Sequence, residues 1–348
     1  MAEGYQHGDE TAANTGPLTS SAKEQTGILH VRARDIPLPA TISPQARAFL
    51  TAQIAAPRPG LALPALEDHA AWRALFAQRN AYLLNLMRDR LGIPENVKKG
   101  TLGGVTVYEA TPAPASLRGG GVIVYLHGGA MVLGSGELGL YWAEQQMRMS
   151  GRRVIAVDFG NPPDYPYPAA LDDCVAVYLE LLKAEAPSDI AIMGASGGGN
   201  LALGLAMRLV HLGHPLPAAI ALQSPEADIT EAGDSFQVLM GVDTQLTESL
   251  IPLSRLYAGG HDMANPELSP LYADFPPNFP PTWIQSGTRD LFLSNAVLLH
   301  RALRRQGVEA ELHLWEAMPH AGFGANTPEE RDMTEELTRF MAKYLCRH

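Results

Sequence analysis

Ser196 stands in Gly194-Ala195-Ser196-Gly197-Gly198, between the apolar run Ile190–Met193 and an apolar helical pattern that begins at Asn200. A G-x-S-x-G sequence between a buried strand and a helix predicts a sharp turn that lifts the serine hydroxyl above a sheet edge. The positions two before and two after the serine must be small, because the chain nearly touches itself there. The alternative for three consecutive glycines, Gly197 to Gly199, is a phosphate or dinucleotide turn, but the required glycine spacing is missing. Those glycines each cost on the order of 1 kcal/mol relative to alanine inside a helix, so something at this helix start needs their smallness.

A serine hydroxyl is a weak nucleophile until a base takes its proton. Of the eleven histidines, His320 has the matching context: it follows the strand-like Glu311–Trp315 in the loop Glu316-Ala-Met-Pro-His320-Ala-Gly-Phe323. A histidine on a loop at a strand's C-terminal end reaches the same sheet edge as the serine, whereas His300 and His313 fall within helix and strand patterns. The third group is expected in chain order between the two. Asp290 follows the strand Thr282–Ser286 and Gly287, 94 positions after Ser196 and 30 before His320. Glu316 is the rival acid, and the plain alternative for Asp290 is a cap on the helix starting near Ser294.

Acyl transfer also needs N–H donors held for a developing oxyanion. Gly197 is one candidate, and Gly128 and Gly129 in the loop His127-Gly128-Gly129-Ala130-Met131 are the others. Met131, Ala195 and Met240 are the expected substrate-contacting side chains. No metal site is expected.

These residues require a frame that brings strand ends together. Strand patterns at Val105–Tyr108, Val122–Leu126, Val154–Phe159, Ile190–Met193, Ala218–Leu222, Thr282–Ser286 and Glu311–Trp315 alternate with helical patterns. The helices are Leu171–Ala184, Asn200–Leu212, Ala296–Gln306 and Glu329–Tyr344. Alternation of this kind predicts a parallel sheet covered on both faces, which is why Val122–Leu126 is continuously apolar. Two further amphipathic helices are expected at Pro44–Ala56 and Leu66–Leu91, separated by Pro57-Arg58-Pro59-Gly60. Trp72, Phe76, Leu83 and Leu86 share a face of the second. The organisation expected is a mobile tail over 1–27, a helical cap segment over 28–95 and a catalytic domain over 96–348. An insertion over 230–275, with an amphipathic stretch at Leu246–Tyr257, overlies the sheet's C-terminal edge.

The chain has 348 residues, with 37 acidic against 26 basic side chains and a net charge of −11. That balance excludes a phosphate-gripping face, so neither nucleic acid nor an anionic membrane is an expected partner. Cys174 reads as a buried thiol and Cys346 as a tail thiol, with no disulfide framework between them. The polar, acidic N-terminus carries no secretory signal, and no apolar run is long enough to span a bilayer, so a cytoplasmic location is expected.

From about residue 100 onwards the sequence resembles the hormone-sensitive-lipase-like family of bacterial esterases, within the α/β-hydrolase superfamily. The matching residues are His127-Gly128-Gly129, Gly194-x-Ser196-x-Gly198, Pro168-Ala-Ala-Leu-Asp-Asp173 and Ser224-Pro225 followed by Asp228. Leu256-Tyr257-x-Gly259-Gly260, Ser269-Pro270-Leu271-Tyr272, Gly287-x-x-Asp290 and Met318-Pro319-His320 complete the set. The resemblance implies an α/β-hydrolase fold with a helical N-terminal cap and cofactor-free hydrolysis of a small-molecule ester through an acyl-enzyme. Short- to medium-chain acyl groups are implied, and homodimers are common in that family. The sequence departs from the family pattern at Ala195, where Asp is usual before the serine, and at the three glycines after the serine. It departs again at Phe159-Gly160-Asn161-Pro162-Pro163-Asp164, which lacks the usual arginine, and at Ala130. The Gly-Gly-Ala-Met loop is still of the type associated with bulky alcohol groups. A lactone or amide substrate would use the same groups. A non-catalytic ligand-binding relative would lack the histidine that is present here, and a thiol hydrolase would need a cysteine at the turn.

Overall fold

Val122, Val124 and Leu126 join one hydrophobic cluster, while Ile123 and Tyr125 join another on the opposite face of the same strand. This two-residue alternation with both faces apolar requires a sheet covered on both sides. The computed structural model describes residues 28–56, 62–324 and 327–345. The expected tail over 1–27, the proline-punctuated link and Cys346 lie outside the described residues. Residues 28–37 carry no helix or strand, and a separate compact unit runs from Leu38 to His348.

That unit is built on an eight-stranded sheet in the order β1-β2-β4-β3-β5-β6-β7-β8. The strands are β1 (Val97–Leu102), β2 (Val105–Ala110), β3 (Val122–Leu126), β4 (Arg153–Val157), β5 (Ile190–Ala195), β6 (Ala219–Gln223), β7 (Thr282–Gly287) and β8 (Ala310–Trp315). From β4 across to β8 all neighbours run parallel; β2 pairs antiparallel with both β1 and β4. This is the α/β-hydrolase fold.

Helices α1 (Pro44–Ala55), α3 (Leu138–Ser150) and α9 (Pro328–Tyr344) contribute to one cluster through Leu50, Met147, Leu337 and Phe340. Helices α2 (His69–Leu91), α4 (Ala169–Leu181), α5 (Gly197–Leu212) and α8 (Leu293–Arg305) contribute to the other. Two short helices, α6 (Ser235–Val238) and α7 (Ile251–Ala258), lie in the expected insertion. Helix α2 starts three residues later than its apolar pattern, because Asp68 accepts from the Ala71 N–H at 3.0 Å and caps it there.

β1 and α3 escape the sequence patterns for physical reasons. β1 reads Val-Lys-Lys-Gly-Thr-Leu and is an edge strand whose four middle residues are exposed. Its lysines blunt the open edge instead of marking a buried strand. α3 buries Glu144, Gln146 and Ser150 alongside Leu138, Tyr141 and Met147, so its inward face is not an apolar stripe.

The turn after β6 packs directly beneath the serine turn. The Ser196 N–H donates to Gln223 O at 2.9 Å, and the Glu226 N–H donates to Ser196 O at 3.1 Å. Asn200 Nδ2 then donates to Glu226 O and Leu268 O at 2.9 and 2.7 Å. The Glu226 carboxyl is 2% exposed, and its Oε2 makes no hydrogen bond among the described residues. Burial, together with the charges of Glu231 and Asp228, pushes its pKa up from 4.5 to about 8. The folded state therefore holds this proton over a range where the unfolded chain releases it. Stability contributed by the neutral carboxyl is full below pH 4.5 and is lost as pH rises towards 8. Glu226→Gln, which cannot ionise, should become steadily more stable than the wild type across that interval and level off above it. Denaturant unfolding of both proteins at pH 5 and pH 8.5 checks this, and a pH-independent difference would count against it.

Candidate active site

Strand β5 runs straight into Ser196, whose backbone adopts φ 54°, ψ −124°, a strained conformation for a residue with a side chain. The strain is held from both sides. A Cβ on Gly194 would lie 2.1 Å from Gly198 O, and one on Gly198 would lie 2.0 Å from Leu126 O. No residue with a side chain fits at either position, so the turn closes only with glycine at both.

The Ser196 hydroxyl lies 3.0 Å from His320 Nε2, and His320 Nδ1 lies 3.0 Å from Asp290 Oδ1. With its proton on Nδ1, the imidazole donates to Asp290 and leaves Nε2 to accept from the serine. Asp290 is fully buried; its Oδ2 accepts from the Ser286 hydroxyl at 2.7 Å and its Oδ1 also accepts from the Phe292 N–H at 3.0 Å. Burial opposes the Asp290 charge. The His320 charge and these hydrogen bonds outweigh it and hold the carboxyl below the usual carboxylate value. Burial likewise opposes a charge on His320, but the charge and hydrogen bond of Asp290, together with the charge of Asp243, raise its pKa above the ordinary imidazole value. The arrangement can take a proton from serine and stabilise the cation that results.

The loop after β3 faces the same point. A Cβ on Gly128 would lie 3.2 Å from Ser196 Cβ, and one on Gly197 would lie 2.8 Å from Met131 N. Among the described residues no group accepts from the N–H of Gly128, Gly129 or Gly197. The loop is held in strained backbone, with φ 52° at Ala130 and 56° at Met131. Asn161 Nδ2 donates to Met131 O at 3.0 Å, Asp158 accepts from the Gly136 N–H at 2.7 Å, and Asn80 of α2 accepts from the Gly134 N–H at 3.0 Å. His127 is buried and stacks on Phe159 at 4.2 Å; burial lowers its pKa and keeps it neutral.

Residues 123–324 match the family model described as the alpha/beta hydrolase fold. The acetyl-hydrolase of Streptomyces hygroscopicus is 32% identical over 232 residues, which is 66% of this chain and 76% of that one. An esterase of Acinetobacter venetianus is 30% identical over 229 residues, covering 63% and 74%. Among solved structures, esterase E25 superposes with a TM-score of 0.82 at 34% identity, covering 92% of this chain and 99% of that one. A hormone-sensitive lipase from a metagenome library gives 0.76 at 28% identity, covering 88% and 100%. The chain belongs to the hormone-sensitive-lipase-like esterases of the α/β-hydrolase family. It is a carboxylesterase-like hydrolase. No helix among the described residues is long and apolar enough to cross a membrane.

In this esterase the fold brings together Ser196, Asp290 and His320, with Gly128, Gly197 and Met131 beside them and Gly129 next to Gly128 in the same loop. The rival acid Glu316 is exposed, and His300 and His313 stay half-buried in α8 and β8. Ala195 is the half-buried last residue of β5. Met240 stands on the turn after α6, 37% exposed. Sequence reasoning missed Asn161, Asp158 and Asn80, and above all Asp243; no spacing rule links these residues to the loops they hold.

Gly197 is the position where the first N–H of α5 meets the loop after β3. Gly197→Ala should push Met131 and Ala130 outwards and separate the donors, lowering kcat about 10²-fold with the fold retained. Steady-state kinetics on an aryl ester, with circular dichroism as the folding control, reads this out. Unchanged kcat would mean that the loop gives way without cost.

Proposed function

We propose that Ser196 is the nucleophile, His320 the general base and Asp290 the acid that orients it, in a serine carboxylesterase. The hydrogen-bonded chain from the Ser196 hydroxyl through His320 to the buried Asp290 carries this reading. In the first half-reaction the Ser196 oxygen attacks the ester carbonyl while its proton passes to His320 Nε2. The carbonyl oxygen becomes an oxyanion, received by the N–H groups of Gly128, Gly129 and Gly197. Collapse breaks the bond to the alcohol oxygen, which takes the proton from His320 and leaves an acyl-serine. Water then repeats the sequence, releases the carboxylic acid and restores the serine. Asp290 keeps its charge throughout and balances the imidazolium.

The substrate reading is a short- to medium-chain ester or one with a bulky alcohol. The relative named as an acetyl-hydrolase supports the short acyl chain. The Gly128-Gly129-Ala130-Met131 loop supports the bulky alcohol by its type. Helices α1 and α2 are proposed as the cap segment, α2 reaching the oxyanion loop through Asn80 and α1 reaching the base loop through Phe49, edge-on to Phe323 at 6.1 Å.

Ser196→Ala and His320→Ala should each lower kcat at least about 10³-fold without unfolding the protein. A fluorophosphonate should label the wild type at Ser196. Asp290→Asn should lower kcat by roughly 10⁴-fold, whereas Glu316→Gln should leave it unchanged. Activity should rise with pH through a midpoint above the ordinary imidazole value, since only neutral His320 accepts the serine proton and its pKa is raised. Aryl esters of increasing acyl length, with γ- and ε-lactones alongside, test the substrate reading. A fully active Ser196→Ala variant would overturn the mechanism.

A further inference from the structure

Asp243 lies in the inserted segment, far along the chain from both the acid and the base, yet its carboxylate sits at their junction. It is fully buried. Its Oδ2 accepts from the N–H of Leu291, the residue after Asp290, at 2.8 Å and from the N–H of His320 itself at 3.2 Å. Its Oδ1 accepts from Gln245 N and Leu246 N at 2.8 and 3.3 Å, with His320 N at 3.4 Å. The Oδ1 contacts alone make an ordinary local turn. The Oδ2 contacts do something a turn does not require: they tie the loop after β7 to the loop after β8.

We propose that Asp243 is a positioning residue for the base, one carboxylate that sets the spacing between the Asp290 and His320 loops and adds a second negative charge behind the imidazolium. The inference rests on the reading of His320 as general base. Burial pushes the Asp243 pKa above the usual carboxylate value, and the His320 charge and the N–H groups of Gln245 and Leu291 oppose that rise. A proton on either oxygen would displace a hydrogen bond, so the ionised form is the one that fits. The charged groups facing His320 are Asp290, from the loop after β7, and Asp243, from the insertion. Ser196 and the edge-on Phe292 ring, 4.8 Å away between centroids, are its uncharged neighbours. Asp243 touches only backbone at residue 320, so its effect reaches the reacting atoms through position and charge.

The consequence is a pair of effects that a purely structural residue would not produce together. Removing the charge withdraws support for the imidazolium, so the His320 pKa falls and the acid limb of kcat/KM moves to lower pH. The same loss should reduce the plateau kcat by at least about tenfold. Asp243→Asn is the direct test, with Asp243→Ser as the second uncharged variant should the first not fold. Asp243→Glu keeps the charge in a longer side chain. It should lower kcat while leaving the acid limb where the wild type has it. His320→Ala is run in parallel. If it is inactive and a folded uncharged Asp243 variant keeps the wild-type limb and kcat, this inference alone is wrong. It is equally wrong if the uncharged variant loses thermal stability or kcat without moving the limb. If His320→Ala stays active, the base assignment itself fails.

Discussion

The site depends on one close approach of the backbone to itself, at the turn where β5 becomes α5. Ser196 takes a backbone conformation that L-residues avoid, at a cost of order 1–3 kcal/mol. The surrounding structure must hold it there. Gly194 against Gly198 O and Gly198 against Leu126 O leave no room for relaxation, and the Ser196 N–H and C=O are engaged by the end of β6 and by the turn after it. The three glycines that weaken α5 as a helix are the same residues that let β3, β6 and the loop after β3 converge on it. A local penalty in helix propensity is thus the condition for the site's geometry.

Once the serine is fixed, the other parts are fixed by different elements. The proposed base and acid come from loops after β8 and β7, whose strands pair in parallel register from Thr282 with Ala310 to Gly287 with Trp315. Parallel pairing alone brings two loops to one edge without setting their separation to within the reach of a hydrogen bond. That finer adjustment rests on buried polar contacts: the Ser286 hydroxyl on Asp290, and Asp243 across both loops. In the proposed mechanism the electrostatic consequence follows from the same contacts. Burial would favour a neutral imidazole, and two carboxylates reverse that preference. A base whose cation is stabilised before the reaction begins needs little reorganisation as the charge forms.

The sheet, most helices and the three residues of the proposed triad were legible in the sequence because each depends on near neighbours. A buried parallel strand is a continuous apolar run, and a nucleophile turn needs small residues within two positions. The strands that follow place Asp290 and His320 by chain order. β1 was illegible because a charged edge strand has no buried face, and α3 because its buried side carries Glu144 and Gln146. The bracing residues were illegible for another reason. Asn80, Asn161 and Asp243 act through backbone groups 54, 30 and 77 positions away, and a backbone N–H or C=O leaves no mark on residue identity.

The departures from the family pattern make physical sense around the loop after β3. In the segment Phe159–Asp164, which differs from the pattern the resemblance implies, Asn161 hydrogen-bonds the carbonyl of Met131. Met131 is fully buried, and its Sδ lies 2.4 Å from where a Cβ of Gly197 would stand. The smallness of Gly197 and the bulk of Met131 are therefore two halves of one packing arrangement. A side chain at 197 would need a smaller or displaced residue at 131, and a displaced 131 would lose the carbonyl contact to Asn161. The strained φ values at Ala130 and Met131 fall in the same loop. The loop can be strained because the strained stretch and the residues that follow it are anchored, by Asn161 at Met131 and by Asn80 and Asp158 at Gly134 and Gly136. Asn80 comes from α2, so its side-chain amide joins that helix to the loop of the proposed oxyanion donors. In the proposed function, substrate selection and oxyanion stabilisation share a structural element, so a change in α2 that moves Asn80 would act on both.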